Sequence, residues 1–105
     1  MKRSLIWRPD ALADLNEVEA YTFRTWGIAQ AKRYAAALVA DIKALRVSAF
    51  RYPLYDEVYP GLRRKRSGMH HIYFLATKDE VEVLNIIHVS RDPGQHLKLE
   101  TWRED

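Results

Sequence analysis

Apolar or small residues recur through the first half of the chain at steps of three and four. Ala11, Leu15, Val18 and Thr22, widened by Leu12 and Tyr21, mark one face of a helix from Asp10 to about Trp26. Pro9 suits its first turn, where a missing N–H costs nothing. Asp10 and Asp14 favour the positive end of the helix dipole. Gly27 is the natural stop, because glycine passes a helix end in the left-handed conformation without a Cβ penalty. Ala31, Tyr34, Ala35, Leu38, Ile42 and Leu45 then mark a second helix from roughly Ile28 to Ala49. It is rich in alanine, which favours helix and permits close approach. So short a connection makes the two helices antiparallel neighbours, an αα-hairpin.

The second half changes period. A short strand, Lys2 to Trp7, precedes the helices, with Leu5 and Trp7 on one face. Residues 50–61 have no clean period. Two prolines and a glycine mark a loop, and Phe50, Tyr52, Tyr55 and Tyr59 give it reason to pack against the domain. A basic strand from Leu62 to Arg66 follows, then a Ser67-Gly68 turn, a strand from His70 to Ala76, and a turn at Thr77 to Glu80. The last strand is Val81 to His88. Strict alternation puts Val81, Val83, Asn85 and Ile87 on one face and Glu82, Leu84, Ile86 and His88 on the other. Apolar content on both faces predicts a central strand. Arg91 to Gly94 read as a turn before a polar segment that predicts a frayed short helix. The order β-α-α-β-β-β, with helices and strands segregated, is the α+β pattern. A sheet in so small a domain is expected to have one covered and one wet face.

Composition narrows this picture. A chain of 105 residues, 48% hydrophobic and 30% charged, supports one domain with one small core. The expected domain is 1–97, with 98–105 a polar tail. There is no cysteine, which excludes disulfides, thiol chemistry and cysteine zinc sites. No apolar run has the length of a signal segment or a membrane span, so a soluble cytoplasmic protein is expected. Net charge is only +3, too mild to argue nucleic-acid binding, but its distribution is uneven. Between Asp41 and Arg66 seven Lys/Arg face three Asp/Glu, whereas the first helix opens with Asp10, Asp14, Glu17 and Glu19. Such polarity steers partners.

The candidate chemistry is concentrated in Arg63, Arg64, Lys65 and Arg66. In a strand Arg63 and Lys65 share one face, Arg64 and Arg66 the other. One pair must lie near the covered side, its stems along apolar surface. The run suits an anionic partner, or equally an edge strand kept from pairing by charge. His70, His71, His88 and His96 are candidate general bases, with Arg91 a further cation able to hold an anion. His70 and His71 point to opposite faces and cannot share one ion, and no carboxylate stands at ligand spacing, so neither metal nor cofactor is expected. His88, at a strand end, is expected to be hydrogen-bonded and partly buried. Trp7 and Trp26, at element ends, are expected to seal the core, and Trp102 lies in the charged tail.

Taken jointly, these residues resemble the ParE branch of the RelE/ParE toxin superfamily. The resemblance runs from about residue 5 to 97. It is carried by Ala11-x-x-Asp14-Leu15-x-x-Val18-x-x-Tyr21, Gly27, Ala31-x-x-Tyr34-x-x-x-Leu38, Pro53, Leu62-Arg63, His71-Ile72-Tyr73-Phe74, and Val83-Leu84-Asn85-Ile86-Ile87-His88-x-x-Arg91-Asp92-x-x-x-x-Leu97. It implies a two-helix hairpin packed on a small antiparallel-rich sheet. It also implies a toxin neutralised by a ParD-like antitoxin in a hetero-oligomeric complex, with DNA gyrase as the target, inhibited without chemistry by the toxin. No membrane partner and no sequence-specific DNA contact are expected. RelE-branch relatives instead cut mRNA on the ribosome and typically carry a tyrosine or equivalent acid/base group near the C-terminus. Here no tyrosine follows Tyr73. If the chain is a nuclease, its residues are His88, Arg91, Arg64 and Arg66. As target-contact candidates the sequence offers Arg63, Arg64, Lys65, Arg66, His88 and Arg91. A third alternative is a non-toxic relative that only forms an antitoxin complex. A partner strand on an open sheet edge, or a partner helix beside the hairpin, would suit a flexible antitoxin tail.

Overall fold

Pro9 and Gly27 bound the first helix as their backbone chemistry demands. In the computed structural model, which describes residues 2–96, strand β1 (Ser4–Trp7) leads into α1 (Pro9–Trp26), with proline at the first helical turn. Gly27 has φ +92°, and its N–H donates to the Phe23 carbonyl at 2.9 Å. Its own carbonyl accepts from the Ala31 N–H at 3.1 Å, so one residue closes α1 and opens α2 (Ile28–Ser48). A 3₁₀ turn (Ala49–Arg51) follows, then the loop, β2 (Arg63–Ser67), β3 (His70–Ala76), β4 (Glu80–His88) and a short α3 (Pro93–His96). The boundary at 97, the tail 98–105 with Trp102, and the His96 side chain lie outside what is described.

The four strands form one mixed sheet in the order β1-β4-β3-β2. β4 is central, as its two-sided apolar content predicts. β1 runs parallel to it, whereas β4–β3 and β3–β2 are antiparallel. The helical hairpin covers one face. Ala11, Val18, Leu38, Ile42 and Leu45 pack there with Ile72, Phe74, Val81, Val83 and Ile86, and Leu5 and Trp7 close the side. The other face is not wet, contrary to expectation. The 50–61 loop returns across it, and Tyr55, Val58 and Tyr59 pack on Leu62, Tyr73, Leu84 and Ile87. The loop's aromatic content is the reason: those rings remove more apolar surface from water on the sheet than in solution.

Strict alternation fails in β4. Tyr73 pairs with Asn85 but Phe74 pairs with Val83, so β4 carries one residue more than β3 at this point. A bulge of one residue inverts the phase of everything beyond it. Ile86 therefore joins Val81 and Val83 under the helices, and Ile87 joins Leu84 on the outer face, the reverse of the sequence expectation. The extra residue also turns the backbone toward α1. There the Asp14 carboxylate accepts two bonds at one oxygen, from the Ile86 N–H at 2.9 Å and from Asn85 Nδ2 at 3.0 Å.

Two further expectations are corrected. Leu12 and Tyr21 are exposed, not part of the buried stripe. Trp26 does not seal the core, with 70% of its surface open to solvent, whereas Trp7 packs against the core as expected. The reason is geometric. α1 buries Ala11, Val18 and Thr22 and packs Leu15 on the core, and Trp26, at its last position, lies one turn beyond the last buried residue.

Asp14→Ala would leave the Ile86 N–H and the Asn85 amide without their acceptor, an expected loss of about 2–3 kcal/mol in unfolding free energy. Asp14→Asn is expected to lose less, because its amide oxygen still accepts from Ile86. Urea unfolding of the two variants beside the parent checks the order.

Candidate functional site

Alternation divides the four cations of β2 as the sequence predicts, and the two pairs have different work. Arg63 and Lys65 face the helical side. Arg63 donates to the Tyr52 carbonyl at 2.5 Å and lies 5.2 Å from the Phe50 ring centre, pinning the start of the loop. Lys65 reaches α2, 3.7 Å from the Asp41 carboxylate and 3.4 Å from the Asp41 carbonyl. The other Asp41 oxygen accepts from the buried Ser67 hydroxyl at 2.5 Å. These two cations hold β2 to its neighbours.

Arg64 and Arg66 face the outer side. Arg64 lies over the Tyr55 ring at 4.1 Å and donates to the Tyr73 hydroxyl at 3.2 Å, a stacked, half-buried position. Arg66 is exposed and donates to the Gly68 carbonyl at 2.9 Å. His71 stands beside them. Burial lowers its pKa first, and the charges of Arg64 and Arg66 lower it further. This is a cationic, aromatic-backed patch on an edge strand.

His70, His88 and Arg91 belong to the opposite, helical side. His70 and His88 are cross-strand partners, their rings edge to face at 5.4 Å. His70 Nδ1 is 2.7 Å from the Tyr34 hydroxyl of α2. That hydroxyl also accepts from the Met69 N–H at 2.8 Å and lies 3.5 Å from the Ser67 carbonyl, so Tyr34 ties α2 to the β2–β3 turn and to His70 at once. Gly68 makes the contact possible: its φ is +59°, and a Cβ there would stand 2.6 Å from the Tyr34 oxygen. Burial, then the neighbouring His88 and Arg91, push the His70 pKa down from 6.5 to about 4. His88 is half-buried and hydrogen-bonded, as expected: its Nδ1 lies 2.8 Å from the Ser90 hydroxyl and accepts from the Ser90 N–H at 3.1 Å.

Below these rings a groove of about 720 Å³ runs between α1 and the end of β4. Asp14, Tyr21, Arg24, Asn85, His88 and Arg91 line it. Thus the six target-contact candidates do not form one surface. Arg64 and Arg66 lie on the outer face, Arg63 and Lys65 are tied to loop and α2, and His88 and Arg91 open on the groove. The four residues of the nuclease alternative are likewise divided between two faces. Among the described residues no three His, Asp or Glu side chains stand together as metal ligands, and no helix is long and apolar enough to cross a membrane.

The family model for the ParE toxin of the type II toxin–antitoxin system parDE matches residues 5–93. The chain belongs to the ParE toxin family. Toxin ParE of Escherichia coli is 34% identical over 84 residues, which are 79% of this chain and 82% of that protein. Toxin ParE1 of Caulobacter vibrioides is 31% identical over 87 residues, 83% of this chain and 90% of the relative. Toxin ParE1 of Mycobacterium tuberculosis is 26% identical over 98 residues, 92% of this chain and all of the relative. In structure the chain resembles the chromosomal ParDE toxin–antitoxin system from P. aeruginosa, with a TM-score of 0.74 and 23% identity. That match covers 84% of this chain and 97% of the other.

Three features of this ParE-family chain were missed by sequence reasoning: the Asp14 grip on β4, the Tyr34–His70 bond, and the pairing of His70 with His88. The signal for the first was present. Asn85 is the one polar residue within Val83-Leu84-Asn85-Ile86-Ile87, and a buried amide requires partners.

The low pKa of His70 has a signed consequence. As pH falls from 6.5 toward 4 the unfolded chain takes up a proton that the folded His70 refuses. The unfolded state then binds more protons, so stability is lost across that window and the loss levels off below it. His71 adds in the same direction, whereas Asp14, whose pKa is raised chiefly by burial, acts oppositely. In urea unfolding at stepped pH, His70→Gln is expected to flatten the slope between 6.5 and 4, and the His70 ring protons are expected to titrate near 4 in NMR.

Proposed function

We propose that this ParE-family toxin acts in the cytoplasm by binding DNA gyrase and holding it on DNA, and that a ParD-like antitoxin neutralises it in a hetero-oligomeric complex. Family membership across residues 5–93 carries the reading. The division of cations supports a toxin that binds rather than cuts. Metal-free RNA cleavage needs a base, an acid and phosphate-holding cations around one phosphate. His88 and Arg91 lie on one side of the sheet and Arg64 and Arg66 on the other. Arg64, backed by Tyr55 and Tyr73, and the exposed Arg66 are the target-contact surface of this reading. For the antitoxin, β2 offers an edge. Leu54 bridges only to Arg63, so the edge from Arg64 to Ser67 can accept a partner strand.

The ribosome-dependent interferase remains the second reading because His88 and Arg91 share one groove with the neutral His70. Two assays separate them. Controlled expression without antitoxin is expected to arrest growth, and the purified protein to inhibit supercoiling and accumulate cleaved DNA with gyrase. Growth arrest with unaffected gyrase and cut transcripts would transfer the role to His88 and Arg91. A folded but harmless protein would leave only the antitoxin-binding role. Arg64→Glu with Arg66→Glu is expected to raise the concentration needed for gyrase inhibition by about tenfold or more, with the fold intact by circular dichroism. Unchanged inhibition would remove this surface from the target contact.

A further inference from the structure

Three guanidiniums from distant parts of the chain meet around one exposed ring. Phe50, in the 3₁₀ turn after α2, is 51% exposed. Arg3, just before β1, lies 4.4 Å from its ring centre, and Arg63, the first residue of β2, lies 5.2 Å from it. Arg46, in the last turn of α2, is stitched to Arg3. Its Nε donates to the Arg3 carbonyl at 2.8 Å, and its own carbonyl accepts from the Arg3 N–H at 3.0 Å and from Arg3 Nη1 at 3.2 Å. Arg3 Nε donates to the Thr77 carbonyl at 2.7 Å, and Arg63 Nη1 to that of Tyr52. The three side chains are therefore held in place before any partner arrives.

These bonds are architecture, but they leave the charge standing. A carbonyl satisfies an N–H without neutralising the cation behind it. Among the described residues no carboxylate pairs with Arg3, Arg46 or Arg63. Asp79 and Glu80, beside Ser4, are exposed and pair with none of them, and Asp41 is taken by Lys65 and Ser67. Arg3 Nη2, Arg63 Nη2 and both Nη atoms of Arg46 donate to no described residue. Because they share a ring, Arg3 and Arg63 stand within about 10 Å of each other, one screening length at 0.1 M salt, and their charges repel. Joining β1 to α2 does not require three uncompensated cations. Fixed guanidiniums with free N–H groups and no counter-charge suit an anion rich in oxygen acceptors, such as phosphate.

The ring narrows the class of partner. Both cations lie over Phe50, so its ring is spent on them and offers no platform for stacking an unpaired base. What remains is recognition of phosphates by charge, which carries no sequence information. We propose that Arg3, Arg46 and Arg63, gathered around Phe50, form a contact for the phosphate backbone of duplex DNA. The proposal rests on the gyrase reading for its choice of polyanion, since a toxin that holds gyrase on DNA stands beside that duplex. Arg64 and Arg66 face the other side of the sheet, so enzyme and DNA are met by different surfaces, and each contact raises the effective concentration of the other.

The test uses the full chain, without gyrase, and a fluorescent duplex read by anisotropy across a salt series from about 50 to 200 mM. Three neutralised phosphates predict a slope of log affinity against log salt of about −2.7. Two duplexes of unrelated sequence are expected to bind alike. Arg46→Gln is expected to weaken binding several-fold and to reduce the slope by about 1. Lys32→Gln removes the same charge about 21 Å away along α2 and is expected to leave the slope unchanged. In the unaltered protein the Nε–H signals of Arg3, Arg46 and Arg63 are expected to shift saturably with added duplex, a readout that needs no variant to fold. Absence of salt-dependent binding at the low-salt end overturns the proposal, as do equal losses in the two variants or shifts confined to Arg64 and Arg66. Inorganic phosphate that produces the same shifts at matched phosphate concentration also overturns it, because the patch would then be a site for a free anion. Gyrase is absent throughout, so failure here leaves the supercoiling result untouched, and failure of gyrase inhibition leaves the binding measured here.

Discussion

One carboxylate joins the two layers of this toxin. Asp14 takes the Ile86 N–H and the Asn85 amide at the place where β4 departs from its partner's register. A bulge strands backbone donors that a regular ladder would satisfy, and a stranded donor under a helix is costly. The residue that pays this debt stands on α1, the element that the sheet must in any case bury. Helix, bulge and sheet therefore fix one another: the helix supplies the acceptor, the acceptor permits the bulge, and the bulge sends Ile86 into the helical core and Ile87 to the other face. The groove is a by-product of the same arrangement.

Charge on β2 shows how strand geometry divides a uniform run of residues. Four cations in sequence become two pairs with separate duties. Arg63 and Lys65 are absorbed by carbonyls and Asp41, whereas Arg64 and Arg66 are presented with aromatic backing. Half of a basic cluster is thus architecture. The histidines follow the same rule. His70 faces α2 and is kept neutral by burial and by the neighbouring His88 and Arg91, and adjacent His71 faces the cationic patch.

Much of the fold was legible because each element carried a local signal. Pro9 and Gly27 announced the ends of α1, the alanine-rich stripe announced α2, and two-sided apolar content placed β4 at the centre. The phase of β4 beyond Leu84 was not legible, because a bulge is set by what α1 offers across the interface and leaves no period of its own in the strand. The exposure of Trp26 was hidden for a related reason: a helical pattern does not tell where along the helix burial ends. Individual candidate residues were visible, but their grouping was not. His70 and His88 stand far apart in sequence and become neighbours only through antiparallel register.

The parallel pairing of β1 with β4 sets an order of assembly. β1 has β4 as its sheet neighbour, and the chain around it is tied to distant points: Arg3 to the Arg46 carbonyl and Ser4 to the Asp79 carbonyl. None of these partners exists when β1 leaves the ribosome. The hairpin of α1 and α2 can form from local contacts, but the edge strand has nowhere to dock until Val83 has been made. Sheet closure is therefore the late, slow event of a topology with distant contacts. Until β4 has been made the sheet is unbuilt, and every surface that needs it, the groove between α1 and β4 included, is missing from the nascent toxin.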